Sequence, residues 1–145
     1  MMGRALGIDY GSRRVGLALS DPLRIIASGA GVLQNTPSLI KTLARFVEEN
    51  QVVAIVVGMP YAPDGGIGKK GEEVGLFIQR LHDAVTVPVT TWDESYTTVD
   101  AGATLRKGGM KKKQRRQKGV LDEMAARLLL QEYLDTQTHS PDPNP

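Results

Sequence analysis

Cysteine is absent from the 145 residues, and histidine (two), phenylalanine (two) and tryptophan (one) are scarce. Without cysteine there is no disulfide framework, thiolate zinc site, thiol nucleophile or Cys-ligated iron–sulfur cluster. His82 and His139 leave little material for a histidine metal site or a nucleophile–histidine triad. Long apolar runs are missing too. The longest, Val52 to Val57, falls far short of the ~20 residues a membrane-spanning helix needs. Asp9, Gly11, Arg13 and Arg14 follow the N-terminus too closely for an apolar signal core. A soluble, cytoplasmic protein is therefore expected, with no membrane partner.

What is present suits one folded domain: 41% hydrophobic and 23% charged residues, a balance that argues against wholesale disorder. The formal net charge of +2 hides an uneven distribution. Arg106, Lys107, Lys111, Lys112, Lys113, Arg115, Arg116 and Lys118 form a basic run with no acid inside it. Removing those eight from the 18 bases leaves ten against 16 acids, so the body of the chain is mildly acidic. One concentrated basic segment on such a body points to a polyanion partner, against the plainer alternative of a solvated face.

Ala5 to Asp9 reads as an apolar strand ending in an acid, and Val15 to Ser20 returns as a second strand after a short turn. Ile25 to Leu33 is a third, weakened by Gly29 and Gly31. The period then changes. Thr36 or Ser38 starts a helix carrying Leu39, Ile40, Leu43, Phe46 and Val47 at helical spacing. Gln51 to Gly58 is short, β-branched and apolar on both faces, as a central parallel strand is. A loop over Tyr61 to Gly71, a helix over Glu72 to Val85 and a strand over Val87 to Trp92 follow. The basic run favours a mobile loop before a last helix over Val120 to Leu134. This order predicts an α/β fold: a mixed five-stranded sheet, with a three-strand antiparallel meander, two parallel strands and helices on both faces. Residues 1–135 form a single domain, and 136–145 are expected to be a disordered tail.

Three acids hold unusual positions in this plan. Asp9 ends the first strand, Glu94 ends the last strand just after Trp92, and Asp122 starts the last helix beside apolar Leu121. Converging carboxylates make an all-oxygen site suited to Mg²⁺ or Mn²⁺. Two such ions about 4 Å apart can activate water and stabilise the leaving oxygen of a phosphodiester. Taken singly, each acid has a plainer role as a cap or a surface group. Arg13 and Arg14, in the turn after Asp9, are candidates for contact with a nucleic-acid backbone, or form a solvated turn.

Gly7-Ile8-Asp9-Tyr10-Gly11-Ser12 followed by Arg13-Arg14-Val15-Gly16 resembles the opening motif of the YqgF family. Val57-Gly58-Met59-Pro60 with Asp64-Gly65 resembles its second motif, and Asp93-Glu94-Ser95-Tyr96-Thr97-Thr98 its third. Leu121-Asp122-Glu123-Met124-Ala125-Ala126 with Leu130-Gln131 resembles the fourth. The four come in family order and span nearly the whole chain apart from the tail. The family is described as nucleases of pre-16S rRNA and, earlier, as Holliday junction resolvases. The resemblance implies a ribonuclease H-like fold, with Asp9, Glu94 and Asp122 as catalytic, metal-holding carboxylates and Asp9 between two ions. It departs at Ser95, where the family commonly carries Arg.

A metal-dependent endonuclease acting on structured RNA such as pre-16S rRNA, in ribosome biogenesis, is the leading expectation; branched DNA is the alternative substrate. Nucleic-acid contacts are expected from Arg13, Arg14, Lys107, Lys111, Lys112, Lys113, Arg115, Arg116 and Lys118. Asp9-Tyr10-Gly11-Ser12 also resembles the first phosphate motif of actin-like and sugar-kinase ATPases, but those need two lobes and this length supplies one. A non-catalytic RNA-binding module would use the basic run and leave the acids unexplained. Resolving a two-fold symmetric junction calls for two active sites. No dimer face is legible, so a monomer or weak homodimer is expected.

Overall fold

The computed structural model describes residues 2–62, 64–93 and 114–139, the last segment with its side chains from 119 to 137. Strands β1 (Arg4–Tyr10), β2 (Arg14–Ser20), β3 (Ala27–Gln34), β4 (Val52–Met59) and β5 (Val89–Asp93) form one sheet in the order β3-β2-β1-β4-β5. The first three pair antiparallel; β4 lies parallel to β1, and β5 parallel to β4. The expected meander and parallel pair are both present, with β1 at the junction between them.

Alternation along β1 divides the molecule into two layers. Leu6 and Ile8 face one side, where they pack with Val15, Leu17, Val57 and the apolar stripes of α1 (Leu39–Glu49) and α2 (Lys69–Ala84). Tyr10 extends that layer by stacking on Phe77 of α2, ring centroids 4.3 Å apart. Ala5 faces the other side with Ala18, Ala27 and Val56, beneath Ala126, Leu129, Leu130 and Leu134 of α3 (Gln114–His139). One layer is thus built from bulky residues and the other from small ones. The small ones let α3 come close: a Cβ at Gly7 would lie 2.8 Å from the Leu130 Cβ, and one at Gly16 would collide with the backbone carbonyl of Asp122.

Polar groups pin the edges. The buried Ser20 hydroxyl accepts the Ala5 N–H and donates to the Asp21 carbonyl, both at 2.8 Å. The Asp21 carboxylate accepts the Ile25 and Ile26 N–H groups at 2.7 and 2.9 Å and so shapes the β2–β3 turn. Those bonds, Ile26 first, hold the Asp21 carboxyl below its ordinary value of 3.8. From α3, Glu123 accepts the Gly31 N–H and Gln131 accepts the Ala27 N–H, fastening the helix to the edge strand β3.

The start of α2 and both ends of α3 differ most from expectation. α2 begins at Lys69, inside the stretch expected to be loop, because Gly71 is buried against Ile67 and Met59 and that packing offsets glycine's low helix propensity. Ser38 occupies the first cap position of α1 without capping through its hydroxyl, which bonds the Thr36 hydroxyl at 2.9 Å instead. α3 starts at Gln114, so Arg115, Arg116 and Lys118 lie on helix where a mobile loop was expected. Gln, Arg and Lys are good helix formers, and like charge alone does not stop propagation from a well-packed helix. α3 also runs to His139, past the expected boundary at 135. Lys107, Lys111, Lys112 and Lys113 lie outside the described residues.

Candidate active site

Asp9 is the sixth residue of β1 and shares the parity of Ala5 and Gly7, so alternation directs it to the α3 face. It is half-buried and sits opposite Gly16 in the β1–β2 register. Asp122 comes to the same place from above: the missing side chain of Gly16 makes room for its backbone. Asp9 and the backbone of Asp122, more than a hundred residues apart in sequence, therefore both border one glycine. Asp122 was expected at the start of the last helix; it lies eight residues inside it, where the sheet holds the backbone firmly.

The Asp122 carboxylate is not left alone. Arg14, the first residue of β2, donates from Nε to its Oδ2 at 2.9 Å. The two side chains are 26% and 24% exposed, so the pair is partly screened. Glu123, next in sequence, has a different job: it accepts the Gly31 N–H at 2.6 Å and is tied up in the helix–sheet joint.

Glu94, the third expected carboxylate, lies outside the described residues. The described part of that segment stops at Asp93, the end of β5, which pairs with Met59. Since β1, β4 and β5 run parallel, their C-terminal ends open on one edge of the sheet. Ligand sites of open α/β sheets form at that edge. Two residues before Glu94, Trp92 packs on the α3 layer and meets Tyr133 edge-on, centroids 5.9 Å apart. Trp92 is thus a core residue, not a free stacking platform.

Beside Asp122 opens a cleft of about 580 Å³. Arg13 lines it from the β1–β2 turn and Arg14 from the start of β2, with Lys69, Lys70 and Glu73 from the first turns of α2. The two lysines were missed in the sequence, where they fall in a stretch read as loop. The signal was there: Gly71, Val74 and Ile78 keep helical spacing back to the start of α2, carrying Lys69 and Lys70 with them.

Asp9 and Asp122 offer hard oxygen donors only, with no sulfur or imidazole in the set, and the Arg14 guanidinium shows that Asp122 accommodates a cation beside it. That donor chemistry fits Mg²⁺ or Mn²⁺. Among the described residues no three metal-ligating side chains converge. No helix among them is long and apolar enough to cross a membrane.

A mixed sheet of this order, covered by helices on both faces, is a ribonuclease H-like fold. The chain belongs to the RuvX family, whose model is described as Holliday junction resolvase and matches residues 3–136. This is the family that the four motifs resemble. A relative from Halothermothrix orenii, provisionally named a pre-16S rRNA nuclease, is 38% identical over 136 residues, covering 92% of this chain and 96% of its own. Another from Ruminiclostridium cellulolyticum, of the same name, is 39% identical over 135 residues, covering 91% and 94%. Among solved structures, Thermus thermophilus RuvC in complex with a Holliday junction substrate matches with a TM-score of 0.58 at 14% identity, over 94% of this chain and 96% of that one. Fowlpox virus resolvase with junction DNA matches at 0.55 and 12% identity, over 92% and 98%. At those identities the likeness is one of fold.

Proposed function

We propose that the chain is a divalent-metal-dependent endonuclease that hydrolyses phosphodiester bonds in a structured precursor of 16S rRNA. The observation that supports this reading is that Asp9 and the Asp122 backbone both border Gly16; Glu94 is the next residue after β5 in sequence. Full-length similarity to relatives named for pre-16S rRNA cleavage supports the substrate. Asp9, Glu94 and Asp122 would hold the metal, which when bound would supply Lewis acidity to the phosphodiester. The rigid backbones of β1 and α3 keep Asp9 and Asp122 from drifting apart, and that fixed spacing is this chain's contribution to rate. Arg13, Arg14 and the basic residues Lys107, Lys111, Lys112, Lys113, Arg115, Arg116 and Lys118 neutralise phosphates, giving affinity without sequence readout.

The family's description as Holliday junction resolvase favours a second reading, cleavage of branched DNA. One experiment tests both. The purified protein is given a 5′-extended small-subunit rRNA precursor and a four-way DNA junction, each with Mg²⁺, Mn²⁺, Ca²⁺ or EDTA, beside Asp9→Asn. Metal-dependent cutting of the RNA that vanishes in the variant is expected. Cutting of the junction alone transfers the activity to recombination. Binding without cutting of either makes the protein a non-catalytic RNA-binding module.

A further inference from the structure

The cleft beside Asp122 collects four cations, Arg13, Arg14, Lys69 and Lys70, against two carboxylates, Glu73 and Asp122. In the cleft Asp122 is paired with Arg14, and neither lysine forms an ion pair with Glu73 or Asp122. Both lysines are exposed, and they face bases contributed by a turn more than fifty residues away in sequence. Like charges gathered around one space repel, and an anion placed between them removes that repulsion. The rest of the lining is Gly11 and Ser12, with no aromatic or large apolar side chain on which a base could stack. The cleft is open to solvent, and about 580 Å³ gives room for about one or two nucleotides of a strand. Asp122 lies on the same cleft, so a chain of phosphates running through it leads directly to the acids.

From this we infer that the cleft holds the sugar-phosphate backbone of one nucleic-acid strand, with Lys69 and Lys70 contacting phosphates across from Arg13 and Arg14. The inference rests on the nuclease reading for the kind of ligand and adds a second bank of contacts to it. Lys69 and Lys70 are binding residues here, and they set how the strand enters.

The test is equilibrium binding of a labelled 12-nucleotide single strand of RNA, and of a duplex of the same sequence, in EDTA over a series of salt concentrations. Wild type is compared with Lys69→Gln/Lys70→Gln and with Lys41→Gln/Arg45→Gln, which makes the same charge change on the exposed side of α1. Loss of two phosphate contacts lowers the slope of log affinity against log salt by about 1.4 for a single strand, or about 1.8 for a duplex. Affinity near 0.1 M salt falls roughly 10- to 30-fold. The probe that shows the loss identifies whether the strand enters alone or as part of a duplex. Slopes equal to wild type on both probes, or an equal loss in the α1 control, overturn the inference. Because metal is absent, the result is independent of cleavage. A changed slope in a protein that cuts nothing leaves the cleft and removes the nuclease; an unchanged slope in a protein that cuts does the reverse.

Discussion

Replacing Arg14 by Gln should weaken the fold and tighten the binding of a divalent cation at the same time. Arg14 reaches Asp122 through a single contact, Nε to Oδ2 at 2.9 Å, with about a quarter of each side chain exposed. Fully exposed pairs contribute roughly 0.2–1 kcal/mol, and hydrogen bonds to charged groups roughly 1.5–3 when well shielded. A pair a quarter exposed falls between, at about 1 kcal/mol. Its loss should lower the melting temperature by about 3 °C in a domain of this size. A metal ion held by Asp122 has to take the carboxylate over from Arg14, so the free energy of the pair opposes metal binding. Removing Arg14 returns that 1 kcal/mol, an affinity gain of about fivefold. The guanidinium also repels the ion through space, which adds in the same direction. Circular dichroism melts measure the first effect, and electron paramagnetic resonance of free Mn²⁺, titrated without nucleic acid, measures the second. Destabilisation with unchanged Mn²⁺ affinity would refute the reasoning, because Asp122 would then not be the group that the two cations share.

Gly16→Val should push the α3 backbone off β2, since its Cβ collides with the Asp122 carbonyl. Overpacking of this kind costs about 1–3 kcal/mol, but cleavage should fall by about 100-fold or more as Asp122 leaves Asp9; chemical denaturation and single-turnover cleavage check the two. Asp21 should make the fold sensitive to acid. Its depressed carboxyl pKa adds stability that is fully present above its ordinary value of 3.8 and is lost as pH falls through the lower, folded value. Asp21→Asn should therefore lower the urea midpoint at neutral pH and converge with wild type in strong acid. Tyr133→Ala should remove the edge-on contact with Trp92, costing about 0.5–1.5 kcal/mol beyond lost area. As Trp92 is the one tryptophan, its emission should shift to the red.

The sheet was legible because its strands carry unambiguous patterns. Val52 to Val57 is β-branched on both faces, and Leu6 and Ile8 alternate with Ala5 and Gly7. Helix starts were harder to see, for a physical reason in each case. Gly71 reads locally as a loop residue although it keeps helical spacing with Val74 and Ile78, and its packing on Ile67 and Met59 is what the sequence hides. The bases at 115, 116 and 118 read as a solvated loop, although nothing in their propensities forbids helix. Asp9 and Asp122 could be singled out because acids beside apolar strand and helix positions are conspicuous. Arg14 was visible as a base in a turn, but its partnership with Asp122 depends on how α3 crosses β2. Lys69 and Lys70 carried no local cue of function at all. Their role arises when the start of α2 is laid beside the β1–β2 turn, which is a property of the assembled sheet.

The two faces of that sheet divide the work between stability and placement. Leu6, Ile8, Leu17 and Val57 meet α1 and α2 through large side chains, where small shifts can be absorbed by repacking. Ala5, Gly7, Gly16 and Ala18 meet α3 almost backbone to backbone, where a shift meets a carbonyl or a Cβ and has nowhere to go. Acids that must keep a fixed separation belong on the second kind of surface. Asp9 and Asp122 are both there, and Arg14 reaches Asp122 from the same strand that carries Gly16. It follows that enlarging residues in the two layers should have different consequences. On the α1–α2 side the result should be lost stability with catalysis per folded molecule retained. On the α3 side the acids should separate even where the protein stays folded.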